Sequence, residues 1–233
     1  MTPLQVQGLF HLYFDLMFFI LGIKLWSHYK NSQNLLAKYL SLSFIFAGFE
    51  YIFLAIPPLF LSDDLISVKW MGGVFAMVLF YIAIAYAWFM LPILFPKFPF
   101  KPAMAFFGLL AAVMVSLSIY PFAPALINKA GVIDYGFPPI VILTASLLLM
   151  GTFVPVTVAF IIKTLKSKMY VQGLTLGFGL LFVILFMPIT YQVTTFGSYV
   201  FFSSLAAAGF TLCALGVVIH PLLRGKKDAA ATV

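Results

Sequence analysis

His11, Asp15 and Glu50 are the residues of this chain best placed to do chemistry, because each is an ionisable group inside an apolar run long enough to cross a bilayer. An acid or imidazole at membrane depth is costly, so each is a functional hypothesis by default. His11 and Asp15 are four apart and share a helix face. Gly8, His11, Asp15, Phe18 and Gly22 make one stripe, and Ser43, Ala47 and Glu50 make a second, small-and-polar one. At about 1.5 Å rise per residue, Asp15 lies roughly 10 Å and Glu50 roughly 13 Å from the same surface. Consecutive antiparallel helices usually pack together, so the three are expected to meet in the outer half of a bundle. Three chemistries fit them. They are packing-critical polar contacts between helices, a proton- or cation-responsive site with coupled protonation, or a metal site for zinc or iron.

A second pairing is His28 with His220, one on the first helix and one on the last. Two imidazoles at one depth could ligate a haem axially. Histidines at membrane boundaries are more often solvated, and His220-Pro221 reads as a helix end. Haem and metal therefore remain open as cofactors, and nothing in the residues requires either. Gly173 and Gly177 form a small-xxx-small face for helix packing, which Gly179 continues. Pro155 and Pro188 are expected to kink their helices and free carbonyls. Thr144, Ser146 and Thr152, like Ser198, Ser203, Ser204 and Thr211, can bond to their own backbone.

These residues must be positioned by membrane helices. Of 233 residues, 64% are hydrophobic and 8% charged, against about 25% charged in a soluble domain. Mean hydropathy is +1.14. The composition implies a polytopic membrane protein in contact with lipid and argues against nucleic-acid binding, despite a net charge of +7. Seven apolar stretches are long enough to span, at about Gly8–Trp26, Lys38–Leu59, Trp70–Leu94, Pro102–Phe122, Pro138–Ile162, Tyr170–Ile189 and Gly197–Leu222. Their apolar runs are continuous rather than alternating, which disfavours a transmembrane barrel. The reading is an all-α bundle of seven transmembrane helices over residues 1–223, followed by a short basic tail, 224–233.

The cations orient it. Lys24, Lys30, Lys38, Lys97, Lys101, Lys163, Lys166, Lys168, Arg224, Lys226 and Lys227 fall on one side, and only Lys69 and Lys129 on the other. This bias puts the first group in the cytoplasm, the N-terminus outside and the C-terminus inside. No Lys or Arg precedes Lys24, so the first span does not read as a signal peptide. A prokaryotic inner membrane is the expected location.

Several chemistries are missing. There is no His-Glu-x-x-His or Gly-x-Ser-x-Gly motif and no phosphate-binding loop. Cys213 is the sole cysteine, which excludes an internal disulfide. The seventh span has no lysine for a retinal Schiff base, and the spans hold no arginines for voltage sensing.

Phe18-Phe19-Ile20-Leu21-Gly22, a short polar turn, Lys38-Tyr39-Leu40 and Gly48-Phe49-Glu50-Tyr51 resemble the seven-helix membrane input region of some bacterial sensor kinases and cyclases. That resemblance covers about a quarter of the chain and implies a membrane sensor. Such regions precede a cytoplasmic effector, so a signal here would pass to another polypeptide. The expectation is a non-catalytic module, sensor-like or a subunit of a larger membrane complex or homo-oligomer. A proton-coupled or small-solute transporter is the alternative, and a haem- or metal-holding redox subunit a second one.

Overall fold

The structure is a computed structural model that describes residues 1–61, 63–119, 124–165 and 170–219. Its first helix, α1 (Pro3–Ser32), starts at a capping box. The Thr2 hydroxyl accepts from the Gln5 N–H, the Gln5 side chain accepts from the Thr2 N–H, and Pro3 fills the first turn. The helix ends where Gln33 turns left-handed at φ 55°. Asn34 then caps α2 (Leu35–Phe60) by accepting from the Leu36 N–H at 2.9 Å. With so short a link, α1 and α2 pack along their lengths.

Asp64 opens the third helix, α3 (Leu65–Leu94), accepting from the backbone N–H groups of Ile66 and Ser67. Its Lys69–Phe75 stretch is a π-helical turn, and it breaks again near Phe89 and Met90. Next come α4 (Phe100–Ile119), the two-residue strands β1 (Leu126–Ile127) and β2 (Ile133–Asp134), α5 (Pro139–Leu165), α6 (Tyr170–Thr190) and α7 (Phe196–Ala214). A second π-helical turn, Leu215–Ile219, extends α7.

Six of these helices are long and apolar enough to cross a membrane: α1 to α5 and α7. The chain is thus a helical, multi-pass membrane protein. The remaining helix, α6, runs from Tyr170 to Thr190, and its Leu174–Thr190 part is apolar.

The helices form a ring in the order α1, α2, α3, α5, α6, α7, with α7 returning to α1 and α4 lying outside against α3 and α5. Inside the ring, the Phe18 and Phe210 rings meet edge to face at 4.7 Å, and Phe14 and Phe18 both pack on Tyr51. Leu16, Phe106, Leu109, Leu147 and Phe201 point outward, as lipid-facing residues must. At the α6–α7 crossing, a Cβ on Gly179 would lie 2.6 Å from the Gly209 carbonyl, so only glycine lets these backbones touch. Gly177 faces Ile161 of α5 instead. The packing around Gly173 lies outside the described side chains.

The structure departs from the expected run of spans in two places. Residues 128–136, between the fourth and fifth spans, belong to a hairpin. Asn128 accepts from the Ala130 and Val132 N–H groups, Gly131 takes φ 76°, and β1 pairs antiparallel with β2. The third span also starts five residues before Trp70, because the Asp64 cap nucleates helix there. Lys69 therefore lies inside the helix, 1% exposed, rather than in a solvated loop.

Candidate functional site

The β1–β2 hairpin folds back onto one end of the ring, and three anchors hold it. The first is Gln7, whose Oε1 accepts from the Ile133 N–H at 2.8 Å while its Nε2 donates to the Ile133 carbonyl at 3.2 Å. One amide thus satisfies both backbone groups of a buried strand residue, as a neighbouring strand would. The second anchor is Lys69, whose ammonium donates to the Tyr135 carbonyl and sits 4.1 Å from the centre of the Phe137 ring. Asp134 attracts it further. A buried ammonium is tolerable only with such partners. Gly72 and Gly73 make room here, because side chains at these positions would strike Tyr135 and Phe137.

The third anchor is a carbonyl in α2. A helical C=O normally accepts from the N–H four residues on. Four residues after Leu54 stands Pro58, which has no N–H. The Leu54 carbonyl accepts from two side chains instead: His11 Nδ1 at 2.8 Å and the Tyr135 hydroxyl at 3.2 Å. Since a carbonyl only accepts, this contact puts the proton of His11 on Nδ1. His11 is therefore a partner for a proline-freed carbonyl, and its ring lies edge-on to Tyr51 at 5.7 Å.

Under the hairpin lies a chamber of about 120 Å³, walled by α1, α2, α3, α5, α6, α7 and the hairpin itself. A site for one water needs roughly 10–15 Å³ on this measure, so the chamber has room for several waters or a small solute. Glu50 projects into it while only 8% exposed. No described residue hydrogen-bonds its carboxyl. Around it stand Tyr51, Tyr191 and Tyr199, with the Tyr51 and Tyr191 hydroxyls 3.5 Å apart. Phe80, Met77, Leu149 and Met187 supply apolar wall. Glu50 and Asp134 are its acids, and among the described residues its lining includes no Lys, Arg or His.

No protein-family model, curated protein or solved structure matches this chain. The site therefore rests on its own geometry.

The three expected residues divide. Glu50 reaches the chamber and His11 holds the backbone beside it. Asp15 does not line the chamber. Seven residues make nearly two helical turns, so Asp15 is aligned with Gly8 and Gly22, and both of these pack on α2, against Leu59 and Ile45 respectively. Asp15 thus lies on the α1–α2 seam, half-buried, with Oδ1 lacking a hydrogen-bond partner among the described residues. Among the described residues no three of His, Cys, Asp and Glu assemble as a metal site, and His11 Nδ1 is already engaged. His28 is exposed, and His220 lies outside the described residues.

Sequence reasoning missed Gln7, Lys69, Tyr135, Tyr191 and Tyr199. A signal existed for the third anchor: Pro57-Pro58 within an apolar span implies freed carbonyls that something must satisfy. The two partners of the Leu54 carbonyl come from 43 and 81 residues away, which no local pattern shows.

Proposed function

We propose that this chain is a non-catalytic, sensor-like membrane module. It binds a small solute in the chamber beneath the hairpin and passes occupancy to another polypeptide. The observation that carries this reading is Glu50, a nearly buried carboxyl without a described protein donor, facing a space large enough for a ligand. A packing acid would be expected to find its partner within the bundle. The lysine bias supports seven spans, with α6 as the sixth, the hairpin end outside the cell and the opposite end in the cytoplasm. A prokaryotic inner membrane and membrane-protein partners are part of the same reading.

Thiol labelling tests it. In a Cys213→Ser background, Met187→Cys places a thiol in the chamber wall, and Leu147→Cys places one on the exposed outer face of α5. A charged methanethiosulfonate added outside intact vesicles should modify the first and not the second. No modification at residue 187 would make the chamber a dry packing gap and end the reading. Glu50-dependent solute flux through liposomes of this chain alone would replace the sensor reading with the transporter.

A further inference from the structure

The chamber also carries a statement about the class of solute. Its charge is one-sided. Glu50 and Asp134 face it, while the bases behind its wall are engaged elsewhere, Lys69 by the Tyr135 carbonyl and the Phe137 ring and His11 by the Leu54 carbonyl. The attraction between Lys69 and Asp134 leaves Glu50 as the acid without a local counter-charge. A carboxyl this deeply buried carries charge only when a partner cation sits beside it. Four aromatic rings line the chamber with Glu50, those of Tyr51, Tyr199, Tyr191 and Phe80, drawn from four different helices or their ends, beside the polar side chains of Gln7, Asn128, Asp134, Ser146 and Thr190. A hard metal ion demands about six oxygens converging on one point, several of them carboxylate, and among the described residues no three of His, Cys, Asp and Glu assemble to hold one. Ammonium groups prefer a carboxylate with π faces around it, as in aromatic cages. The volume of about 120 Å³ exceeds what a bare ion would use and suits a group of a few heavy atoms.

We propose that the chamber binds a small organic cation, an alkylammonium group, with its charge at the Glu50 carboxylate and its alkyl surface against Tyr51, Tyr191, Tyr199 and Phe80. This rests on the reading of the chamber as a ligand site. Gln7, Ile133 and Tyr135 close the space above the ligand, so occupancy and hairpin docking are coupled. That coupling gives a sensor its two states.

The test uses the full chain in lipid nanodiscs. Radiolabelled choline is the probe, and its neutral carbon isostere, 3,3-dimethylbutan-1-ol, is the competitor, with sodium chloride held constant. Saturable choline binding is expected, with the isostere at least tenfold weaker. Glu50→Gln should weaken choline at least tenfold. Tyr199→Phe should retain binding, and Tyr199→Leu should lose it several-fold, which separates loss of the π face from loss of the hydroxyl. Each variant is compared only if it elutes and melts as the parent does. No saturable binding, equal competition by the isostere, or full binding by a folded Glu50→Gln protein would overturn the proposal. If Met187→Cys labels from outside and choline does not bind, the chamber reading stands and the cation class falls. If residue 187 does not label, both fall.

Discussion

Replacing Gln7 with Met should release the hairpin while leaving the helix bundle in place. Met has nearly the same length and volume but no amide. Gln7 and Ile133 are both buried, and the two hydrogen bonds between them, at 2.8 and 3.2 Å, are lost together. A buried backbone N–H or C=O left unpaired costs about 1–3 kcal/mol. The longer bond contributes less, so about 3 kcal/mol is a reasonable sum. The hairpin can reduce this cost by undocking into water, which makes the effect local. At about 1.4 kcal/mol per tenfold change in an equilibrium constant, the open population should rise roughly a hundredfold. Amide hydrogen exchange in nanodiscs, read on peptides covering residues 124–138, measures that population. Exchange there should accelerate by about two orders of magnitude, with α2 and α7 nearly unchanged. Gln7→Glu keeps an acceptor for the Ile133 N–H and should fall between the two. Unchanged exchange across 126–136 in Gln7→Met would refute the claim that this amide holds the hairpin. Uniform acceleration through the helices would show that Gln7 supports the whole fold instead.

Gly209→Ala should destabilise the bundle by about 1–3 kcal/mol through overpacking, since the new methyl would meet the Gly179 carbonyl at 2.8 Å. Gly108→Ala meets nothing and should be neutral or stabilising by up to about 1 kcal/mol, as denaturation in mixed micelles will show. Pro58→Ala returns a helical donor to the Leu54 carbonyl, so His11→Ala should cost less in that background than in the parent. A double-mutant cycle should read a coupling of about 1 kcal/mol or more, and strict additivity would contradict the proline argument. Asp64 caps α3, and the Ser67 hydroxyl and backbone N–H hold its carboxyl below the usual carboxylate range. A lowered native pKa means the cap's contribution is complete above the ordinary carboxylate pKa and disappears as pH falls through the lowered value. Asp64→Ala should therefore flatten the acid limb of the stability profile, and an unchanged limb would show that the cap plays no part in it.

Most of the helical architecture was legible in the residues. Six of the seven expected spans are helices long and apolar enough to cross, because crossing hydrocarbon demands about 20 apolar residues in a row and the polar breaks between runs are explicit. The first helix outruns its expected Gly8–Trp26 span at both ends. α1 continues to Ser32 and ends only where Gln33 turns left-handed. Lys69 falls just outside the expected Trp70–Leu94 span, because the hairpin that satisfies it inside the helix lies 66 residues away.

The site was half legible. Glu50 and His11 stood out because ionisable groups in apolar runs are rare, and both are buried. Asp15 was grouped with them by spacing and depth. Helical periodicity places a residue on a face, but which neighbour that face meets depends on how the helices turn about their axes. The ring order, the hairpin docked by Gln7 and Lys69, and the chamber that sets Glu50 among tyrosines from other helices depend on contacts far apart in sequence. Transfer into a bilayer is a property of each segment taken alone, so the residues in order determine the spans. A cavity is a property of side chains from many segments at once, so only the tertiary structure decides it.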